Sequence, residues 1–149
     1  MDPTRLPTRD IERSAWLTRL RTGRSALLLA WLMVAAWAGV IFALSATPNL
    51  RVAQADDLDF VLRKAGHMAA FGILAVLLWR ALTLAAVRRA MVSSLVLTVA
   101  YAASDEFHQS FTAGRHESPV DVAIDAAGAL IALSVLALWL RWWTHRSAE

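Results

Sequence analysis

Four long apolar runs, separated by short charged segments, dominate the pattern of this sequence. They are Ala26–Ala46, Ala65–Val87, Ala90 to about Phe107, and Val120–Trp143. The first run has 21 residues without a charged side chain, and about 20 apolar residues suffice for a helix to cross the hydrocarbon core of a bilayer. A tight turn at Arg88 and Arg89 separates the second run from the third. The pattern predicts an all-α integral membrane protein, a bundle of four transmembrane helices.

We interpret the first run as a retained span rather than as a cleavable signal peptide. Ala43–Ser45 loosely fits a cleavage site, but the apolar region of a signal peptide usually has only about 7–15 residues. The 149 residues then divide into a basic N-terminal segment (1–25), a four-helix membrane domain (26–143) and a short tail (144–149). The chain has no cysteine, which excludes disulfides and thiolate metal ligands.

The distribution of basic residues indicates how the spans are oriented. If the N-terminus lies inside, eleven of the fifteen lysines and arginines fall on the inner side, so the positive-inside rule places both termini in the cytoplasm. Because the arginines flank apolar runs, the net charge of +3 reflects membrane orientation, and we expect no nucleic-acid partner. Tryptophans occur near the inner span ends, as in an aromatic belt: Trp31, Trp79, Trp139, Trp142 and Trp143.

The N-terminal segment has two interpretations that remain open. Apolar residues recur among its arginines at roughly helical spacing: Ile11, Ala15, Trp16 and Leu20. This pattern is typical of a helix that lies on the anionic inner leaflet. A solvated basic tail that only orients the chain would have the same composition.

Polar side chains gather at the outer side of the predicted bundle. Lys64 and His67 open the second span, Asp105, Glu106 and Gln109 close the third, Asp121 and Asp125 open the fourth, and Arg115 lies in the loop between the last two. A charge at the centre of a bilayer costs about 2.5–3.5 kcal/mol on insertion scales. We therefore expect these side chains to face the protein interior, where Lys64 would pair with an acid.

Helical spacing supports this inward placement. Lys64, His67 and Phe71 share one face, and Asp121 and Asp125 share another with Gly128. Small residues on such a face let transmembrane helices approach closely.

Several of these residues also have purely structural interpretations. Ser118–Asp121 resembles a helix start, with Asp121 as an imperfect capping box, and Lys64 could simply extend to the membrane surface. His108 and His116 are interpreted as loop residues. The acids near the start of the second span are expected to form a solvated loop face: Asp56, Asp57 and Asp59.

The order of these residues resembles that of the VanZ-like membrane proteins, a family named for a teicoplanin-resistance protein. The similarity rests on Lys64-x-x-His67, "DEFHQSF", "GRHES" and "VDVAIDAAG", and it covers about Lys64 to Gly128. Phe71 stands where the family often has tyrosine, and Asp125 stands where it has asparagine. The resemblance implies that one set of residues corresponds to the family's polar set: Lys64, His67, Asp105, Glu106, Gln109, Arg115, Asp121 and Asp125.

Three functions fit this pattern, and we favour the first. It is a non-enzymatic envelope protein of the bacterial plasma membrane that binds an anionic glycopeptide or lipid-linked cell-wall component at the outer leaflet, as the resemblance to a teicoplanin-resistance protein implies. The second is a membrane-embedded hydrolase or transferase. The third is a small proton-coupled exporter, which would need a dimer to enclose a path. Membrane lipids are the expected surroundings, and a homo-oligomer is compatible with the sequence.

The catalytic alternative has its own candidate residues. His67 or Glu106 would act as general base, oriented by Asp105. A divalent metal held by these residues and Asp121 is conceivable, but no short metal-binding motif such as HExxH occurs. We therefore expect no metal and no cofactor.

The predicted topology can be tested with a reporter fused after Arg115. A reporter that is active only outside the cytoplasm should be active in this fusion, because the loop between the third and fourth spans is predicted to face outward. A fusion after Arg88 serves as the control and should give the cytoplasmic signal. A cytoplasmic signal from the first fusion would contradict the topology.

Overall fold

Four helices and the turn between the second and the third form the main parts of the chain that the structure, a computed structural model, describes: residues 8–47, 56–111 and 118–146. The helices are α1 (Thr8–Ser45), α2 (Asp56–Leu84), α3 (Ala90–Gln109) and α4 (Pro119–Arg146). No strand occurs in these ranges. The prediction of an all-α protein with four helices is therefore confirmed.

Three helices are long and apolar enough to cross a membrane, within the described residues: Gly23–Ser45, Asp57–Leu84 and Pro119–Arg146. Helix α3 has 20 residues, about 30 Å of helix, but it is less apolar. It buries Ser94 and Thr98 on its inner face and ends in acidic residues. A crossing by α3 and the cytoplasmic location of the termini remain predictions.

Helix α2 begins at Asp56 rather than at Ala65, so Lys64 lies more than two turns inside the helix. The prediction of a solvated loop is wrong for Asp59. This residue is 4% exposed, and its Oδ2 forms an ion pair with Arg63 Nε at 3.0 Å. The physical reason is that acidic residues stabilise the positive end of a helix dipole, so they extend α2 instead of forming a loop.

Helices α2 and α4 run parallel and approach closely at Gly128. A Cβ atom placed on Gly128 would lie 2.7 Å from Met68 Cα and closer still to the Met68 carbonyl oxygen. One turn further along, a Cβ on Gly72 would lie 3.2 Å from Ala132 Cβ. Residue numbers increase in the same direction along both helices from the first contact to the second. The two contacts therefore fix a parallel register between α2 and α4. It also bears out the expectation that small residues allow this approach.

Helices α1 and α3 also run parallel to each other. Tyr101 donates a 2.7 Å hydrogen bond to the Ala38 carbonyl, and Ser45 at the end of α1 reaches Asp105 near the end of α3. Trp37 Nε1 donates to the Ala70 carbonyl at 2.9 Å and ties α1 to α2. The four helices therefore alternate in direction.

The interior is centred on α2, which packs against the other three helices. Phe71, Leu74 and Leu78 of α2 are buried together with Ile41 of α1. Large apolar side chains remain exposed on the outside of the bundle, among them Val96 of α3. This distribution suits a lipid environment, where packing rather than removal of apolar surface from water holds helices together.

Replacing Gly128 with alanine tests the α2–α4 contact. The added Cβ would collide with the Met68 backbone, and overpacking of this kind typically costs about 1–3 kcal/mol. Gly39→Ala in α1 is the control, because no atom lies within 4 Å of the added Cβ. Thermal unfolding in detergent, followed by circular dichroism, should show a lower midpoint for Gly128→Ala only. Equal midpoints for the two variants would contradict the packing described here.

Candidate functional site

A polar cavity of about 180 Å³ lies at one end of the bundle, between α2 and α4 with one residue of α3. Its lining consists of Phe60, Arg63, Lys64, His67, Gln109, Asp121, Ile124 and Asp125. The α2 residues recur at helical spacing, as do the α4 residues, so each helix presents one face. Five of the eight residues singled out from the sequence line this cavity.

Lys64 and Asp121 form an ion pair across the cavity. Lys64 Nζ donates a hydrogen bond to Asp121 Oδ1, and each side chain is about one-quarter exposed. The ammonium group also lies 5.4 Å from the centre of the Phe60 ring, within range of a cation–π interaction. The prediction that Lys64 pairs with an acid is confirmed.

His67 and Asp125 lie one turn further along the same two helices. His67 Nδ1 is 3.6 Å from Asp125 Oδ1, which is too long for a hydrogen bond but within the range of an ion pair when the imidazole is protonated. The imidazole stacks against Phe71, with 6.2 Å between ring centres. Asp125 is only 3% exposed. The expectation that the acidic stripe of α4 faces protein is therefore borne out at Asp125.

Asp105 is buried in α3 and is held from two directions. Its Oδ2 accepts hydrogen bonds from Ser45 Oγ at 2.7 Å and from Gln109 Nε2 at 2.9 Å. The Gln109 bond realises the expected i, i+4 spacing. Because Gln109 also lines the cavity, its amide connects the buried carboxylate to the cavity wall.

Glu106 connects the end of α3 to the start of α4. Its Oε1 accepts a 2.7 Å hydrogen bond from the backbone N–H of Ser118, the residue before Pro119. A carboxylate is unfavourable at the negative end of its own helix but favourable at the positive end of the next one. This contact explains why a second acid follows Asp105 at the end of α3.

The same contact corrects the interpretation of Asp121 as a capping box. The Ser118 N–H that a capping box would bond to Asp121 donates to Glu106 instead, while the Asp121 carboxylate binds Lys64. The loop interpretation of His108 is wrong as well. His108 lies in the last turn of α3 and packs on the Phe42 ring, with 4.5 Å between ring centres.

The arrangement can be compared with known proteins. A family model described as VanZ/LLP1 matches residues 12–141, most of the chain. The chain belongs to the VanZ/LLP1 family. This result confirms the resemblance found in the sequence. Searches of the curated proteins and of the solved structures find no match.

Not every predicted site residue of this VanZ/LLP1 family member can be placed. Arg115 and His116 lie outside the described residues. Glu106 and Asp105 are buried at the cavity end of α3 but do not line the cavity. Among the described residues, no group of three or more histidines and acids is arranged to hold a metal ion.

The cavity of this VanZ/LLP1 protein also contains residues that the sequence did not single out. Arg63 lines it next to Lys64 and four residues before His67, a spacing that could have revealed it. Ser45 gave no such signal. It is the last but one residue of the first apolar run, and its partner Asp105 is far away in sequence.

Proposed function

We propose that this VanZ/LLP1 family member binds a polar group of an envelope ligand, a lipid-linked cell-wall component or a glycopeptide, in the cavity between α2 and α4. The observation that carries the proposal is the convergence of Arg63, Lys64 and His67 on one cavity opposite Asp121 and Asp125. In a chain with three helices able to cross a membrane, charged side chains would be costly against lipid. Inside a cavity they are available to a ligand.

The size of the cavity supports a ligand that inserts only one group. About 180 Å³ is smaller than the roughly 300–1,000 Å³ of pockets that enclose whole small molecules. A phosphate or carboxylate with its nearest atoms fits this volume, whereas a complete glycopeptide does not. A lipid-linked molecule would leave its chain in the bilayer and place its polar head between α2 and α4.

The proposal places the cavity at the outer leaflet of the bacterial plasma membrane, with four spans and both termini in the cytoplasm. The excess of basic residues on the opposite side supports this orientation. Arg115 of the α3–α4 loop would add a planar, bidentate donor for an anionic group. A role in the cell envelope, including resistance to a glycopeptide antibiotic, would follow from capture of such a ligand.

The pair of His67 and Asp125 favours a second candidate, a hydrolase or transferase acting on a lipid-linked envelope substrate. A carboxylate beside an imidazole can orient it and stabilise its protonated form when it acts as general base. The sequence suggested Asp105 for this orienting role, but Asp105 binds Ser45 and Gln109, and Asp125 stands beside His67. Release of product from a lipid-linked precursor by the purified protein would distinguish catalysis from binding.

Two arginine substitutions in α2 test the binding proposal. Arg63→Gln removes a charged donor from the cavity, whereas Arg80→Gln removes the same charge from a site where the side chain contacts Met33 Sδ at 3.6 Å. Because a charge-assisted hydrogen bond contributes about 1.5–3 kcal/mol, Arg63→Gln should weaken binding roughly tenfold or more. The measurement is the affinity of the purified protein for a fluorescent lipid-linked cell-wall precursor in a non-ionic detergent.

The control decides the interpretation. Arg80→Gln should bind the precursor as the unchanged protein does. If Arg63→Gln binds normally, or if both variants lose affinity equally, the cavity is not the binding site.

A further inference from the structure

The wall of the cavity contains a buried carboxylate oxygen without a hydrogen-bond donor. Asp125 Oδ1 is inaccessible and accepts no hydrogen bond, although Asp125 lines the cavity and is 3% exposed. His67 Nδ1 attracts it from 3.6 Å but does not satisfy it. Buried polar atoms in native proteins nearly always have a partner. This oxygen has no donor of its own, and because Asp125 lines the cavity, an occupant that donates a hydrogen bond to the Asp125 carboxylate would compensate for it.

The charges around Asp125 indicate that this donor is cationic. Besides the acids at the start of α2, four carboxyl groups lie at this end of the described bundle: Asp105, Glu106, Asp121 and Asp125. Asp125 is close enough to Asp105 and Asp121 to interact with both electrostatically. Lys64 is paired with Asp121 and His67 lies beside Asp125, while Arg63 is paired with Asp59. Buried charges are stable only when they are paired, so an additional positive group near Asp125 would complete the set.

The α2 side of the same cavity has the opposite preference. Arg63 and Lys64 both line it and carry the donors that recognise a phosphate or carboxylate. Within a cavity of about 180 Å³, a group that satisfies both walls must carry both charges on neighbouring atoms.

We infer that the group entering the cavity is zwitterionic: a primary ammonium donates to Asp125, and an adjacent phosphate or carboxylate lies beside Arg63 and Lys64. This inference rests on the proposed function and specifies the ligand chemistry of the same site. A quaternary ammonium has no N–H and could not donate a hydrogen bond to the Asp125 carboxylate. Asp125 then has a specific role, because its carboxylate supplies the negative charge that selects a cation.

Two small probes of matched shape test the inference on the unchanged protein. Phosphoethanolamine and propyl phosphate differ only in that an ammonium of the first replaces a methyl group of the second. Each is titrated into the full chain in a non-ionic maltoside detergent, and binding is measured by calorimetry. Phosphoethanolamine should bind roughly tenfold more tightly or better, since hydrogen bonds to charged groups are the strong ones.

Two variants assign the preference to Asp125. Asp125→Asn should bring the two affinities within about twofold of each other, and it should fold because asparagine has nearly the same shape as aspartate. Asp57→Asn, at an exposed position in the first turn of α2, removes the same charge outside the cavity and should leave the preference intact. If Asp125→Asn does not fold, the comparison of the two probes on the unchanged protein still decides whether the bound group is zwitterionic.

Each alternative outcome has a definite meaning. Equal binding of both probes to the unchanged protein would contradict the inference that the group is zwitterionic, but it would not contradict the proposed function. A preference for phosphoethanolamine that survives Asp125→Asn would overturn the assignment to Asp125. If neither probe binds but the lipid-linked precursor does, the inference is wrong and the proposed function holds. If the precursor also fails to bind, both are wrong.

Discussion

The backbone contact between Gly128 and Met68 is the constraint on which the rest of this structure depends. Only a residue without a side chain lets α4 approach α2 so closely, and the approach fixes a parallel register. Given that register, Lys64 meets Asp121 and His67 meets Asp125 at successive turns. In lipid, where the hydrophobic effect does not drive helices together, close packing of small residues and polar contacts take its place.

The second constraint is electrostatic and connects consecutive helices. Glu106 places a negative charge in the last turn of α3, which is unfavourable for that helix. Its carboxylate accepts a hydrogen bond from the N–H of Ser118 at the start of α4. Antiparallel neighbours bring the negative end of one helix beside the positive end of the next. One carboxylate can therefore stabilise the start of the second helix although it is unfavourable at the end of the first. The polar end of the bundle is therefore held by charges, and the remainder by packing around Phe71.

The apolar runs were sufficient to predict the helices, and helical spacing was sufficient to group the polar residues of α2 and of α4 on common faces, but not to name their partners. The start of α2 was misplaced because Asp56, Asp57 and Asp59 look like a loop when only hydropathy is considered, although acids favour a helix start. The partners of Ser45 and Glu106 could not be predicted, because each contact depends on the relative positions of helices distant in sequence or separated by a loop. Spacing within one helix contains no information about that register.

A disulfide between α2 and α4 tests the register most directly, since the chain has no cysteine of its own. A Cβ on Gly72 would lie 3.2 Å from Ala132 Cβ, near the separation of about 3.5–4.5 Å that a disulfide requires. Gly72→Cys with Ala132→Cys, oxidised in native membranes and analysed by mass spectrometry of the digested chain, should give the cross-linked peptide. Gly72→Cys with Leu130→Cys should not, because Leu130 faces away from α2 and is 55% exposed. Cross-linking of the second pair in preference to the first would contradict the parallel register and the cavity that depends on it.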